Sequence, residues 1–258
     1  MLVTSLLSWQ AARKTWSSSL TDQNPNPATL WAGFSGFATT LRNKQTRLSF
    51  GVAEKWDDID ANLILANEMA LACLGSILSR AGLVSCLEIN DSDRHRAAIH
   101  ADFVKGLQAV EFCLERGLYS QAATLVRREM EAVNNLIAHR KGKQKDKRNP
   151  KNNPFPQLSQ IYKSLSGIAH NADRIAMAYL AGGSPADTDP RFDQGFCEHL
   201  LETHVHCMVA VCLDLVETIP STTPERFNRD EEYYLQVTLG ILVDRGFIIE
   251  KGENAPPP

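Results

Sequence analysis

Apolar residues recur every three or four positions through most of this chain, a spacing that predicts long amphipathic helices. One helix is expected from near Glu54 to about Leu87. Asp57 and Asp58 lie in its first turn, and Leu63, Ala66, Ala70, Leu74, Ile77 and Leu78 form a wide inward stripe. Asn90-Asp91-Ser92 supplies a turn and a cap for a second helix, which runs to Arg116 with Ala97, Ile99, Phe103, Leu107, Val110 and Leu114 inward. Gly117 suits a left-handed cap at its end. A third helix spans Leu118 to His139 on Leu118, Ala122, Leu125, Met130, Val133, Leu136 and Ile137. A fourth turns Leu158, Ile161, Leu165, Ile168, Ala172, Ile175 and Tyr179 inward. A fifth, Phe196 to about Ile219, does the same with Leu200, Val205, Val209, Leu213 and Val216.

The two ends of the chain read differently. Residues 1 to 20 predict a short helix through Leu2, Leu6, Trp9, Ala12 and Trp16. Pro25, Pro27, Gly33, Gly36 and Gly51 then interrupt the pattern, so an irregular arm is expected over 21 to 52. Asp230 to about Arg245 predicts a last helix, Gly246 to Glu250 a short strand, and Gly252 to Pro258 a disordered tail. The expected fold is all-α: an up-down bundle of five to six helices over 53–219. The arm (1–52) precedes it, and a small C-terminal appendage (220–258) follows.

Composition adds a compartment and one charge anomaly. Cys73, Cys86, Cys113, Cys197, Cys207 and Cys212 sit within apolar patterns and form no C-x-x-C pair, which points to buried thiols in a reducing compartment. The N-terminus has no basic signal-peptide region. The longest weakly charged stretch, Met69 to Ser79, is shorter than the ~20 residues of a membrane span. A cytoplasmic protein with no membrane partner is expected. Residues 140 to 151 carry seven Lys/Arg against one Asp, so the rest of a chain whose net charge is −3 must be −9. Arg140, Lys141, Lys143, Lys145, Lys147, Arg148 and Lys151 are therefore candidate phosphate-backbone contacts, or simply a solvated loop.

The chemistry gathers beside that basic run. Asn134-Asn135-Leu136-Ile137-Ala138-His139 resembles the signature of the HEPN superfamily, in which Arg is followed by a polar residue, a few more residues and His. Asn134 stands where that family places the Arg. Arg128, Glu129, Tyr162, Leu165, Ser166 and His170 also resemble a bacterial helical family that pairs an Arg/Glu-bearing helix with a Tyr-x-x-Leu-Ser-x-x-x-His helix. The HEPN resemblance implies a helical bundle acting on RNA as a homo-oligomer, without metal or cofactor, in a prokaryotic toxin–antitoxin or phage-defence setting. It makes His139 the acid or base on a 2′-hydroxyl, with Asn134 and Asn135 beside it. Arg128 lies ~16 Å from His139 along one helix, so the charge stabiliser is sought in Arg140, in Arg174 or in a second subunit. Without such an arginine, the expectation is a non-catalytic interaction or nucleic-acid-binding module. His139 then reads as a C-terminal helix histidine favoured by the dipole.

Two further sets of polar side chains share single helix faces. Tyr162, Ser166, His170 and Asp173 share one helical face. A nucleophilic Ser belongs on a strained turn, so a polar ladder, or a second site histidine facing Arg128 and Glu129, is the expectation here. His199, Glu202 and His206 share another face and form an alternative metal-ligand set.

Overall fold

The computed structural model describes residues 27–82, 91–142, 158–169, 191–218 and 226–248. These form seven α-helices: α1 Pro27–Ala53, α2 Ala61–Gly82, α3 Asp91–Glu115, α4 Tyr119–Arg140, α5 Leu158–Ala169, α6 Gln194–Thr218 and α7 Arg229–Asp244. A single 3-10 turn, Trp56–Asp58, lies between α1 and α2. The described residues contain no strand, and their packing is that of a helical bundle. The expected short helix at 1–20, Cys86, the residues of the fourth predicted helix from His170 onward and the C-terminal tail lie outside the described residues.

Two compact units divide the chain at Leu48. In the first unit, Pro27 opens α1 instead of ending it. The first helical position has no intrahelical use for an N–H, so a proline there removes nothing. The expected irregular arm is thus helical from Pro27 through Gly33, Gly36 and Gly51.

The second unit, Ser49 to Pro258, holds the bundle. In it α2 packs on α6 and α7, α3 on α4 and α6, and α4 on α5 and α6. Its core contains the predicted Leu63, Ala66, Ala70, Leu74 and Ile77, then Phe103, Leu107, Val110 and Leu114, then Met130, Val133 and Leu136. Ala97 and Leu213, both expected inward, are exposed. Asp57 and Asp58 belong to the 3-10 turn, and Asp60 caps α2 by accepting from the Asn62 amide at 2.8 Å.

Left-handed glycines end the helices as expected. Gly117 has φ 68°, and the Leu118 amide reaches back to the Cys113 carbonyl at 2.8 Å, which turns the chain from α3 into α4. The same motif corrects the C-terminal reading. Gly246 has φ 71°, and the amides of Phe247 and Ile248 both return to the Leu242 carbonyl, so residues 246–248 fold back on α7 instead of forming a strand. Helix α7 starts with a capping box between Asn228 and Glu231, and Leu235 and Leu242 are buried.

Helix α6 is buried from Leu200 through Val209 without a break. Five cysteines, including Cys197, Cys207 and Cys212 on α6, are buried and free. Ala61–Arg80 and Gln194–Glu217 are both long and apolar enough to cross a membrane once one or two charges are tolerated, contrary to the estimate from uncharged runs alone. The Gln194–Glu217 window is 78% buried inside the bundle.

At the middle of α6, His204 donates from Nδ1 to both Glu129 oxygens, at 2.8 and 3.0 Å. Burial raises the Glu129 carboxyl against the pull of the imidazole. Burial alone would lower His204, but the charge and hydrogen bond of Glu129 raise it. Removing one partner strands the other in the core. Glu129→Leu is expected to cost about 3–5 kcal/mol in urea unfolding, and adding His204→Phe to recover most of it. A single variant as stable as the wild type would show that the pair contributes nothing.

Candidate active site

Helix α3 begins with an inward face that is not apolar. Arg96, Ile99, His100 and Phe103 follow the i, i+3, i+4, i+7 spacing of a buried stripe, and two of the four are polar. Their reason is Asp214, which is 2% exposed near the end of α6. Arg96 grips it with two bonds, Nε to Oδ2 at 2.8 Å and Nη2 to Oδ1 at 2.6 Å. A third bond runs from Nη2 to the Asp214 carbonyl at 3.2 Å. His100 Nε2 meets Oδ2 at 2.8 Å. Burial would raise the Asp214 carboxyl, but the bonds from His100 and Arg96 and the guanidinium charge outweigh it and hold it below its ordinary value. The aspartate is therefore ionised, and it fixes the head of α3 against the tail of α6.

That clamp brings two histidines together. His139 lies in the last turn of α4, and its ring centroid is 4.9 Å from that of His95, the residue before Arg96, at an interplanar angle of 41°. His95 is exposed and His139 half-buried. A histidine at a helix C-terminus is ordinarily favoured as the cation. Here burial, then the charges of His95 and Arg96, lower His139 despite the opposing pull of Asp214. The neutral imidazole is a proton acceptor at neutral pH, and its Nε2 has no hydrogen-bond partner among the described residues.

The other predicted residues divide into three groups. Asn134 and Asn135 sit half-buried on α4, one turn before His139. Arg140 is turned to α6, where Nη1 donates to both Glu217 oxygens at 3.1 Å. Lys141 is exposed beside it. Arg128 points outward to Asp102 at 3.0 Å and takes no part near His139. Tyr162 donates to Glu131 at 2.8 Å, which ties α5 to α4. His170, Asp173, Arg174, Lys143, Lys145, Lys147, Arg148 and Lys151 lie outside the described residues.

His95, Arg96, His100 and Asp214 were not expected. Arg96 and Asp214 are 118 positions apart, so no local motif joins them. The one legible signal is an acid inside the apolar run from Val209 to Val216, since a buried carboxylate needs a partner.

The alternative metal set does not assemble. His199 Nδ1 is 3.8 Å from Glu202, and Glu202 accepts from Arg245 Nε at 2.6 Å. Arg245 also holds Glu198 at 2.7 Å, and it holds Asp60. The guanidinium thus occupies the carboxylate that a metal would need. No group of three or more ligand side chains that could hold a metal occurs among the described residues.

Beyond the clamp, α4 and α6 enclose a pocket of about 260 Å³. Val133, Leu136, Ile137, Ala210 and Leu213 line it, together with Arg140, Lys141 and Asp214. Asp214 belongs both to this pocket and to the clamp on Arg96 and His100.

His206 is buried against Phe247 at 5.8 Å between ring centroids, and burial pushes it down to about 4 from 6.5. The unfolded chain binds this proton first as pH falls. Stability tied to His206 is fully present above pH 6.5 and is lost as pH falls toward 4. His206→Leu is expected to flatten that part of the acid limb in urea unfolding at pH 7 and 4.5. An acid loss equal to that of the wild type would exclude it.

Compared with protein-family models, with curated proteins and with solved structures, the chain matched none.

Proposed function

We propose that this chain is a HEPN-like, RNA-directed protein that cleaves RNA without a metal, in a prokaryotic toxin or defence setting. The observation that supports this most is that His139 lies 4.9 Å, ring to ring, from His95 of a neighbouring helix and within range of the Arg96 charge. An arginine is absent from the expected place at Asn134, and Arg96 from α3 supplies the charge in its stead. Arg140, the residue next to His139, is turned away to Glu217 on α6.

In this reading, His139 Nε2 takes the proton of a 2′-hydroxyl. The 2′-oxygen forms its bond to phosphorus, and the bond from phosphorus to the 5′-oxygen breaks. The departing oxygen takes its proton from the second imidazole, His95, and the products are a 2′,3′-cyclic phosphate and a 5′-hydroxyl. Arg96 stabilises the extra charge on the phosphorane. Because Nε2 is buried, the side chains around it must move for RNA to reach it. The exposed Lys141 and the lysines that follow it would attract the phosphate backbone.

A second reading rests on the strength of the Asp214 clamp. An arginine held bidentately by a buried carboxylate is also what a purely structural network looks like. The chain would then bind its partner without turnover, and affinity would fall with salt and with neutralisation of Lys143, Lys145 and Lys147.

One assay separates the two. Single-stranded RNA incubated with the purified chain in EDTA is expected to yield cyclic-phosphate ends. His139→Ala should slow this by about 10²–10⁴-fold, with RNA affinity retained. Salt-dependent binding without cleavage would favour the second reading, and undiminished cleavage by His139→Ala would remove that residue from the mechanism.

A further inference from the structure

The pocket between the ends of α4 and α6 has a composition that neither the core nor the proton-transfer cluster requires. Its walls are aliphatic: Val133 and Ile137 on one side, Ala210 and Leu213 on the other. Its rim is cationic, with Arg140 and Lys141. Its inner wall is Asp214, whose charge the Arg96 clamp already compensates. Leu213 is 44% exposed between the buried Cys212 and Asp214, so the apolar lip faces outward.

We propose that this pocket is a nucleotide subsite. It would take one unstacked base of single-stranded RNA between its aliphatic walls and the adjoining phosphate on Arg140 and Lys141. Size and charge argue for this occupant. About 260 Å³ lies below the ~300–1,000 Å³ of sites for drug-sized ligands, so one ring system fits and an extended polymer does not. Bases taken out of a stack are gripped between apolar or aromatic side chains, and single strands offer such bases where duplexes do not. Cations at the rim and apolar walls beneath match an anion joined to a flat, weakly polar ring. A second copy of this chain would instead need an apolar projection, and nothing in the charged rim suits one.

The fit also assigns a role to Glu217. It holds Arg140 with two bonds at 3.1 Å, on an exposed surface where such a pair is weak. An incoming phosphate takes that arginine from it. Glu217 thereby competes with the ligand, a relation that a purely structural pair does not have.

This inference rests on the RNA-directed reading, and its test separates the two. The probe is adenosine 3′-monophosphate titrated into the full chain by calorimetry, with adenosine and inorganic phosphate as separate controls. Saturable binding is expected, weakened at least tenfold by Ala210→Leu, which fills the pocket, and by Leu213→Ser on its exposed lip. Glu217→Gln should tighten binding several-fold. A single-stranded oligoribonucleotide should displace the nucleotide where a duplex does not. Absent nucleotide binding, binding indifferent to both pocket variants, or inorganic phosphate binding as well as the nucleotide would overturn the subsite. Cleavage of RNA by a chain that binds no nucleotide would overturn the subsite alone. Nucleotide binding by a chain that cleaves nothing would uphold it and sink the catalytic reading.

Discussion

A helix buried on nearly every side can carry polar side chains only where neighbouring helices pair them, and α6 is such a helix. Along it Glu202 meets Arg245, His204 meets Glu129, and Asp214 meets Arg96 and His100. Each partner comes from a different segment: the end of α7, the middle of α4 and the head of α3. Apolar packing alone would leave these helices free to slide by a turn at little expense. A buried carboxylate left unpaired costs far more than a misplaced leucine, so the polar contacts fix axial register. Between them the three sites set the height of α3, α4 and α7 against α6.

The candidate active site follows from the last of these contacts. Asp214 has to be paired, and Arg96 and His100 pair it, so the first turns of α3 must lie against the last turns of α6. Helix α4 ends at the same level because Gly117 makes the α3–α4 turn tight. A Cβ at that glycine would lie 2.7 Å from the Arg191 carbonyl, and its φ of 68° suits no other residue well. His139 therefore arrives beside His95 through the lengths of two helices and one turn. The arrangement is set by the core, and the chemistry at the bundle end inherits it.

Much of this was legible in the sequence, and the failures have a common cause. The bounds of α3, α4, α6 and α7, the start of α5, the Gly117 cap and the burial of the five described cysteines follow from local periodicity and turn chemistry. Pro27 was misleading because a proline that opens a helix and one that breaks it differ only in their position relative to the first turn. Gly246 was misleading because the apolar Phe247 and Ile248 after it resemble a strand until the left-handed cap folds them back. Leu213 fits the inward spacing of α6, yet it is exposed while Cys212, Asp214, Leu215 and Val216 around it stay buried, and it lines the pocket instead of the core. The Arg96–Asp214 pair left one local trace, an acid in the apolar run from Val209 to Val216, and nothing that named its partner. Its two members belong to helices whose adjacency is a property of the whole bundle.

On the proposed HEPN-like reading, the arginine absent from position 134 shows what a motif does and does not specify. Charge stabilisation depends on where a guanidinium lies relative to the reacting phosphate, and the helix that carries it is immaterial. An arginine at position 134 would sit on the same helix as His139 and be held only by that helix. Arg96 is held by a carboxylate that is itself buried, so its guanidinium is ordered before any substrate arrives. Preorganisation of that kind favours catalysis because the group need not reorient as charge develops. It also carries a penalty, since Asp214 offsets part of the charge that Arg96 would offer. The net effect on a phosphorane would depend on how far Asp214 lies behind the guanidinium. With side chains only 13% and 3% exposed, both charges sit largely inside the bundle, so Asp214 would offset much of the pull that the ordered Arg96 could offer an incoming phosphate.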